Sequence, residues 1–204
     1  MNREHAVYGF VQRKVSQLDE DSLWSRAMLA KLRRGIGKSP GAVPDIWDIT
    51  LAGAPNEWQS DQYGAPSYAE LAVHTALTLY ALHRQGKQKS MSVIGKQEEE
   101  GRKVLYSFGY ATACLIMPDK SNFEAVKRRF DAVATSIDFA ELARHARGII
   151  QLLKAKDIPM DYPHFARDLY VFQFDGQDDR IRLRWGEDFY CVFNKETGKD
   201  ADNE

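Results

Sequence analysis

The chain has 204 residues, a length that fits one large domain or two small ones. It carries 28 Lys and Arg residues against 29 Asp and Glu residues, a formal charge of −1, which excludes a strongly basic or acidic protein. Apolar residues make up 44% of the chain, with four Trp, nine Tyr and ten Phe residues, and this much buriable surface excludes disorder as its main state.

The first elements along the chain combine one clear helix with one irregular segment. Residues 22–34 are predicted to form a helix with Ser22 as its N-cap and Gly35 at its end. Residues 40–66 are rich in Pro and Gly, so we expect an irregular loop with at most one short helix. Trp47 and Trp58 are expected to pin this loop to the rest of the protein.

A central, buried helix is predicted from Ser67 to Gln85. Ser67 and Glu70 have the spacing of a capping box, and apolar residues occupy every face of the segment. A polar loop follows at 87–92. Residues 102–116 are predicted to form another apolar helix that ends at Pro118.

The second half of the chain has the pattern of short amphipathic helices. Their predicted starts are Ser121 with Glu124, Asp138 with Glu141, Pro163, and Asp178 or Asp179. No alternation of strands and helices and no internal repeat is present. The sequence therefore predicts an all-α, two-lobed helical bundle. Its predicted parts are an N-terminal lobe (1–118, with the irregular loop at 40–66), a C-terminal bundle (119–194) and a disordered tail (195–204).

Cysteine content and apolar patterning indicate a reducing compartment. Cys114 and Cys191 are too few for a zinc site or a disulfide framework, and we expect two small buried apolar side chains. The first twenty residues contain no unbroken apolar stretch, so no signal peptide is expected, and no run approaches the roughly 18 apolar residues of a membrane span. We expect a cytoplasmic protein without membrane contact.

Motifs for catalysis are incomplete. The stretch from Gly35 to Ser39 (GIGKS) resembles the end of a P-loop, but the required glycine five residues before Gly37 is Leu32, and the motif follows a helix, not a strand. None of the five histidines lies four residues from another, so no helical metal pair exists. We therefore expect no enzyme activity, no cofactor and no metal.

Positive charge is concentrated in stretches that contain no acid. The candidates that charge alone selects are Lys38, Lys87, Lys89, Arg144 and Lys154. In the helix after Asp138, basic residues share one arc opposite the apolar face. Such faces on a nearly neutral protein suit contact with nucleic-acid phosphates without sequence recognition. The alternative is that they are the solvated outer faces of ordinary helices.

An ordered set of segments resembles a known family. The segments are Ala30–Gly35, Leu79–His83, Arg128–Asp131, Leu142 to Ile149 with His145, Asp161-Tyr162, Arg167–Leu169 and Arg184–Tyr190. In order and spacing over residues 20–192 they resemble the CasB family, the small subunit of the type I-E CRISPR surveillance complex Cascade. The loop at 40–66 and the first ten residues match less clearly.

The resemblance implies a two-lobed helical protein that is not an enzyme and that acts in antiviral defence. It implies two copies in the complex, next to the backbone and large subunits. These two copies would help to hold the crRNA guide, the target DNA strand and the displaced non-target strand of the R-loop. The phosphate-contacting residues it implies are Arg33, Arg34, Arg128, Arg129, Arg147, Arg167 and Arg182.

Alternatives remain for parts of this set. Arg167 lies next to Asp168 and can be used in an ion pair. Arg182 and Arg184 can likewise pair with Glu187 and Asp188. A second hypothesis is a purely structural assembly subunit whose basic faces meet protein partners.

Overall fold

The computed structural model describes residues 3–59, 64–99, 102–117 and 120–201. These residues form a predominantly helical protein, as predicted, with one small antiparallel sheet. The elements in chain order are α1 (Arg3–Asp19), α2 (Leu23–Arg33), α3 (Trp47–Thr50), α4 (Tyr68–His83), β1 (Lys96–Glu99), β2 (Arg102–Leu105), α5 (Phe108–Cys114), α6 (Phe123–Ala134), α7 (Phe139–Ala155), α8 (Tyr162–Phe172) and α9 (Asp178–Ala201).

Helix α4 forms the centre of the fold. Its Ser67–Glu70 capping box forms as predicted, with the Ser67 hydroxyl accepting from the Glu70 amide and a Glu70 carboxylate oxygen accepting from the Ser67 amide at 2.8 Å. Twelve of its sixteen residues are buried. Helices α1, α2, α7 and α8 pack around it, which explains why no face of α4 is polar.

The capping signals at two other helices are also confirmed. Ser22 caps α2, where its side chain accepts from the Ser25 amide, and Asp138 caps α7, where its carboxylate accepts from the Glu141 amide at 2.7 Å. Pro163 lies in the first turn of α8, behind the N-cap Asp161. The predicted cap of the last helix is displaced, since Asp178 and Asp179 lie inside the first turn of α9.

Two further sequence predictions are wrong. The predicted helix over 102–116 is divided: residues 102–105 are strand β2, paired with β1 in the register Lys96 to Leu105, and α5 begins only after Ser107, whose hydroxyl caps it. Ser121 is not the cap of α6. Asn122 holds that position, and its side-chain amide donates to the Leu115 carbonyl at 2.9 Å.

The irregular segment after α2 contains three 3-10 turns and the short helix α3. Trp58 is buried and contacts the Phe10 ring edge-on at 5.4 Å, so it pins the segment to α1 as predicted. Trp47 is 40% exposed, but its indole N–H donates to the Pro40 carbonyl at 3.0 Å. Helix α1 is an addition to the predicted set, and its buried face packs on α8.

The predicted division of the chain stays a prediction. Pro118, at the proposed boundary, lies outside the described residues. Helix α8 packs mainly on α1 and α4, while α5 packs on α9. Helix α9 extends to Ala201, into the segment for which a disordered tail is predicted. Cys114 and Cys191 are only half-buried, whereas the sequence predicts that both are buried. Among the helices of the described ranges, none is long and apolar enough to cross a membrane.

The crossing of α5 and α9 leaves no room for a side chain at Gly109. A Cβ atom there would lie 2.1 Å from the Trp185 carbonyl oxygen, and that oxygen belongs to a helix backbone that cannot rotate away. This close approach brings Phe108 to 4.9 Å from the Trp185 ring. The aromatic core between the two helices therefore depends on a glycine.

Gly109→Ala should lower the free energy of unfolding by about 3 kcal/mol, because the two backbones must separate. Gly186→Ala, which replaces a helical glycine with open space around it, should instead raise it by about 0.5–1 kcal/mol. Urea denaturation followed by circular dichroism measures both. Equal midpoints for the two variants would contradict the packing described.

Candidate nucleic-acid interface

The interface starts from a tight turn after α2 that contacts α4. Gly35 packs against the side chains of Ile46, Thr78 and His74, at 3.0–3.2 Å from its ideal Cβ position, and Gly37 has a φ of +72°. The positive φ at Gly37 favours glycine, and a side chain at Gly35 would require its three neighbours to shift by a few tenths of an ångström. The GIGKS motif is thus a turn that presents Lys38 at the surface, with Lys38 exposed.

His74 of α4 holds this turn in place. Its Nε2 lies 2.9 Å from the Gly35 carbonyl oxygen, and the side chain is buried. Burial lowers the pKa of His74, against the opposite effect of the Gly35 and Lys38 carbonyls, so the ring is neutral at pH 7. No sequence motif singles out His74; its only signal is a polar side chain on an otherwise apolar helix.

Helix α7 supplies the opposite wall. Its buried face is Leu142, Ala146, Ile149, Ile150 and Leu153, close to the predicted core face. Arg144 and Arg147 lie on the opposite side and are exposed. Together with Lys38 they line a groove of about 410 Å³ between the turn, α4 and α7.

The positive surface continues along α7 beyond the groove. Lys154 Nζ donates to Gln85 Oε1 at 2.9 Å, just after α4. Lys87 pairs with Asp157 beyond the end of α7. The hydrogen bond from Lys87 lowers the pKa of Asp157, and the nearby charge of Lys89 lowers it further. We call the set Lys38, Arg144, Arg147, Lys154, Lys87 and Lys89 the basic strip. From Arg144 to Lys154 it extends about 15 Å along the helix.

The cations of the strip differ in how far they are already paired. Within the described part of the chain, the charged groups of Lys38 and Arg147 have no hydrogen-bond or ion-pair partner. Arg144 Nη2 lies 3.3 Å from Glu141 Oε1 and 2.9 Å from His145 Nε2. Since exposed ion pairs of this kind contribute little to stability, a phosphate can replace Glu141 as the partner of Arg144 at low cost.

The other predicted phosphate-contacting residues lie off the strip. Arg33 is half-buried, and Arg34 pairs with Asp45 at 2.9 Å, both at the end of α2. Arg128 and Arg129 are exposed on α6, where Arg129 donates to the Ala125 carbonyl. Within the ranges that the structure describes, none of these four side chains is hydrogen-bonded or ion-paired to a residue of the basic strip.

Arg182 is engaged inside the protein. It pairs with Asp178 at 2.6 Å and Asp179 at 2.9 Å, and it donates to the Ser136 carbonyl at 2.9 Å. Its guanidinium carbon also lies 5.2 Å from the centre of the Phe172 ring. The partners are thus not the acids named from the sequence, Glu187 and Asp188. These contacts hold the start of α9 against the residues before α7.

Arg167 belongs to a buried network around Asp168. Asp168 is fully buried in α8, is bound by Arg184 and accepts from the Trp185 indole N–H at 2.7 Å. Arg167 lies 3.6 Å from the same carboxylate. Burial raises the pKa of Asp168, and the neighbouring arginines act in the opposite direction. The network joins α8 to α9.

His164 completes this network. Burial, followed by the charges of Arg167 and Arg184, lowers the pKa of His164 to about 3. The ring is therefore neutral at pH 7, and its Nε2 accepts a hydrogen bond from Arg167 Nη2 at 2.8 Å. This bond and the ion pair with Asp168 direct Arg167 inward. They agree with the alternative drawn from the sequence, in which Arg167 is used in an ion pair with Asp168.

Comparison with known proteins identifies the family. The family model for CRISPR-associated protein Cse2 matches residues 28–190. The chain belongs to the Cse2 family. This confirms the resemblance drawn from the sequence.

Solved structures agree with the Cse2 assignment. The crystal structure of CasB from Thermobifida fusca has 32% sequence identity and a TM-score of 0.71, with 91% of this chain and 98% of that chain covered. CasB from M. ruber has 22% identity and a TM-score of 0.62, covering 93% and 97%. A chain of a CRISPR RNA-guided surveillance complex has 14% identity and a TM-score of 0.71, covering 97% and 98%. The last two matches show the fold. No curated protein matches the chain.

The basic strip and the groove of this Cse2 chain suit the binding of an anionic partner. In the described ranges, no three His, Cys, Asp or Glu side chains are grouped as metal ligands would be. What the structure assembles is a row of cations on a rigid helix, next to a groove. Such a row can hold phosphates in place.

Removing an arginine of the buried network and removing an exposed arginine of the strip should change the free energy of unfolding by different amounts. Arg184→Ala leaves the buried Asp168 carboxylate without its main partner, and we expect a loss of about 3–5 kcal/mol in the free energy of unfolding. Arg147→Ala removes an exposed side chain, and the change should stay within about 0.5 kcal/mol. Thermal and urea unfolding test both variants, and a large loss for Arg147→Ala would show that the strip has a structural role.

Proposed function

We propose that this chain is the non-catalytic small subunit of a type I-E Cascade complex and that its basic strip holds phosphates of a nucleic-acid strand in the R-loop. The observation that carries the proposal is the juxtaposition of Lys38, Arg144 and Arg147 from distant parts of the chain around one groove. Membership of the Cse2 family and the similarity to CasB support it.

The strip suits a supporting role in strand exchange. R-loop formation replaces one duplex with another of about equal stability, so a few additional backbone contacts can shift the balance. Exposed cations on a helix give such contacts without sequence recognition. We assign the strip to the displaced non-target strand and propose that the subunit also helps to hold the crRNA guide and the target strand.

Protein partners complete the proposal. These are the backbone and large subunits of Cascade and a second copy of the chain. Leu183 and Tyr190 of α9 are exposed at 65% and 44%, and both line a shallow hollow on that helix. Large apolar side chains at such exposure support a protein contact on the α9 face.

A double variant of the strip tests the function in the reconstituted complex. Arg144→Gln with Arg147→Gln removes two phosphate contacts and should weaken target-DNA binding about tenfold or more at low salt. Binding assays measure this effect, while size-exclusion chromatography should show the variant in the complex at normal stoichiometry.

The control removes the same charge elsewhere. Arg26→Gln with Arg180→Gln changes two exposed arginines off the strip and should leave target binding unchanged. If the strip variant fails to enter the complex, the alternative of a purely structural assembly subunit is favoured. Normal assembly with unchanged target binding would refute the assignment of the strip.

A further inference from the structure

The groove beside the strip has an apolar lining as well as charged residues. At about 410 Å³, it lies within the range of about 300–1,000 Å³ in which clefts enclose small organic ligands. Its apolar lining includes Leu71 and Leu79 of α4 and Phe139 and Ala143 of α7. A surface that binds only phosphates needs no apolar lining. The groove therefore suits a ligand that has an apolar part as well as a charged one.

The charges around the groove define the other part of that ligand. Lys38 stands on one wall and Arg144 and Arg147 on the other, and the described lining residues include no Asp or Glu. An anion is therefore attracted from both sides of the opening. A flat apolar body that carries negative charge at its edge is the chemistry of a nucleotide.

Hydroxyl groups that line the groove can each donate or accept a hydrogen bond. Ser39, Thr75 and Thr78 contribute hydroxyl groups, which both donate and accept. Thr78 Oγ1 donates to the Thr75 carbonyl at 3.1 Å and so keeps its acceptor capacity. Such groups can meet the edge of any base, which fits contact without sequence recognition.

We propose that the groove binds one unstacked base of a single strand, with the flanking phosphates on Lys38, Arg144 and Arg147. The inference rests on the proposed function and goes beyond it, because phosphate contact alone requires no base. Bases in a duplex are stacked inside the helix and cannot enter the groove. The protein should therefore prefer single strands to duplexes of equal charge.

The test separates base contact from phosphate contact. The full chain is titrated with a fluorescein-labelled ten-residue oligothymidylate and with an abasic tetrahydrofuran strand of the same length and charge. The wild type should bind the abasic strand about tenfold more weakly, since stacking and burial of a base are lost. This comparison needs no variant.

A groove-filling variant provides the second measurement. Ala140 lines the groove but is exposed, so Ala140→Phe fills the space without burying a larger side chain in the core. It should weaken oligothymidylate binding about tenfold and leave abasic binding unchanged. Ala27→Phe, on an exposed position of α2, is the matched control and should affect neither.

The outcomes distinguish the two proposals. Salt-dependent binding of both strands with equal affinity would overturn the base site and keep the phosphate strip. Binding of neither strand at low salt would overturn the base site, and the strip is then decided by target binding of the Arg144→Gln, Arg147→Gln variant in the reconstituted complex. If Ala140→Phe prevents entry into the complex but leaves oligonucleotide binding intact, the groove holds a protein segment and the base site is refuted.

Discussion

Burial of α4 on every face is the constraint on which the rest of the structure depends. Because no side of this helix is polar, four other helices must cover it, and the turn at Gly35 closes against it as well. Two of the surrounding elements, that turn and α7, bear the exposed cations. The groove therefore exists because both elements rest on the same buried helix, which also fixes the distance between its walls.

Positive residues in this chain divide into two groups with different uses. Arg184, Arg167 and Arg182 neutralise carboxylates that hold α8 and α9 in place, and Asp168 is the most deeply buried of these. Lys38 and Arg147 instead stand in solvent. A protein with almost no net charge can thus stabilise its interior with some arginines and keep others available for an anionic partner.

The sequence predicts most helices but not the groove. Helix α7 was predictable because its buried and basic faces follow the helical period, and Ser67 with Glu70 marks the start of α4. The strand at 102–105 was missed because its few apolar residues also fit a helix. Lys38 and Arg144 were selected by charge separately. Their proximity, and the role of His74, depend on tertiary packing, which a local pattern does not contain.

The salt dependence of single-strand binding shows whether the basic strip contacts phosphates. For single strands, the slope of log affinity against log salt is about −0.7 for each phosphate contact. We expect the full chain with Arg144→Gln and Arg147→Gln to have a slope flatter than that of the wild type by about 1.4, because two phosphate contacts are lost. If the wild-type chain binds the strand and the variant has the same slope, Arg144 and Arg147 do not contact phosphates.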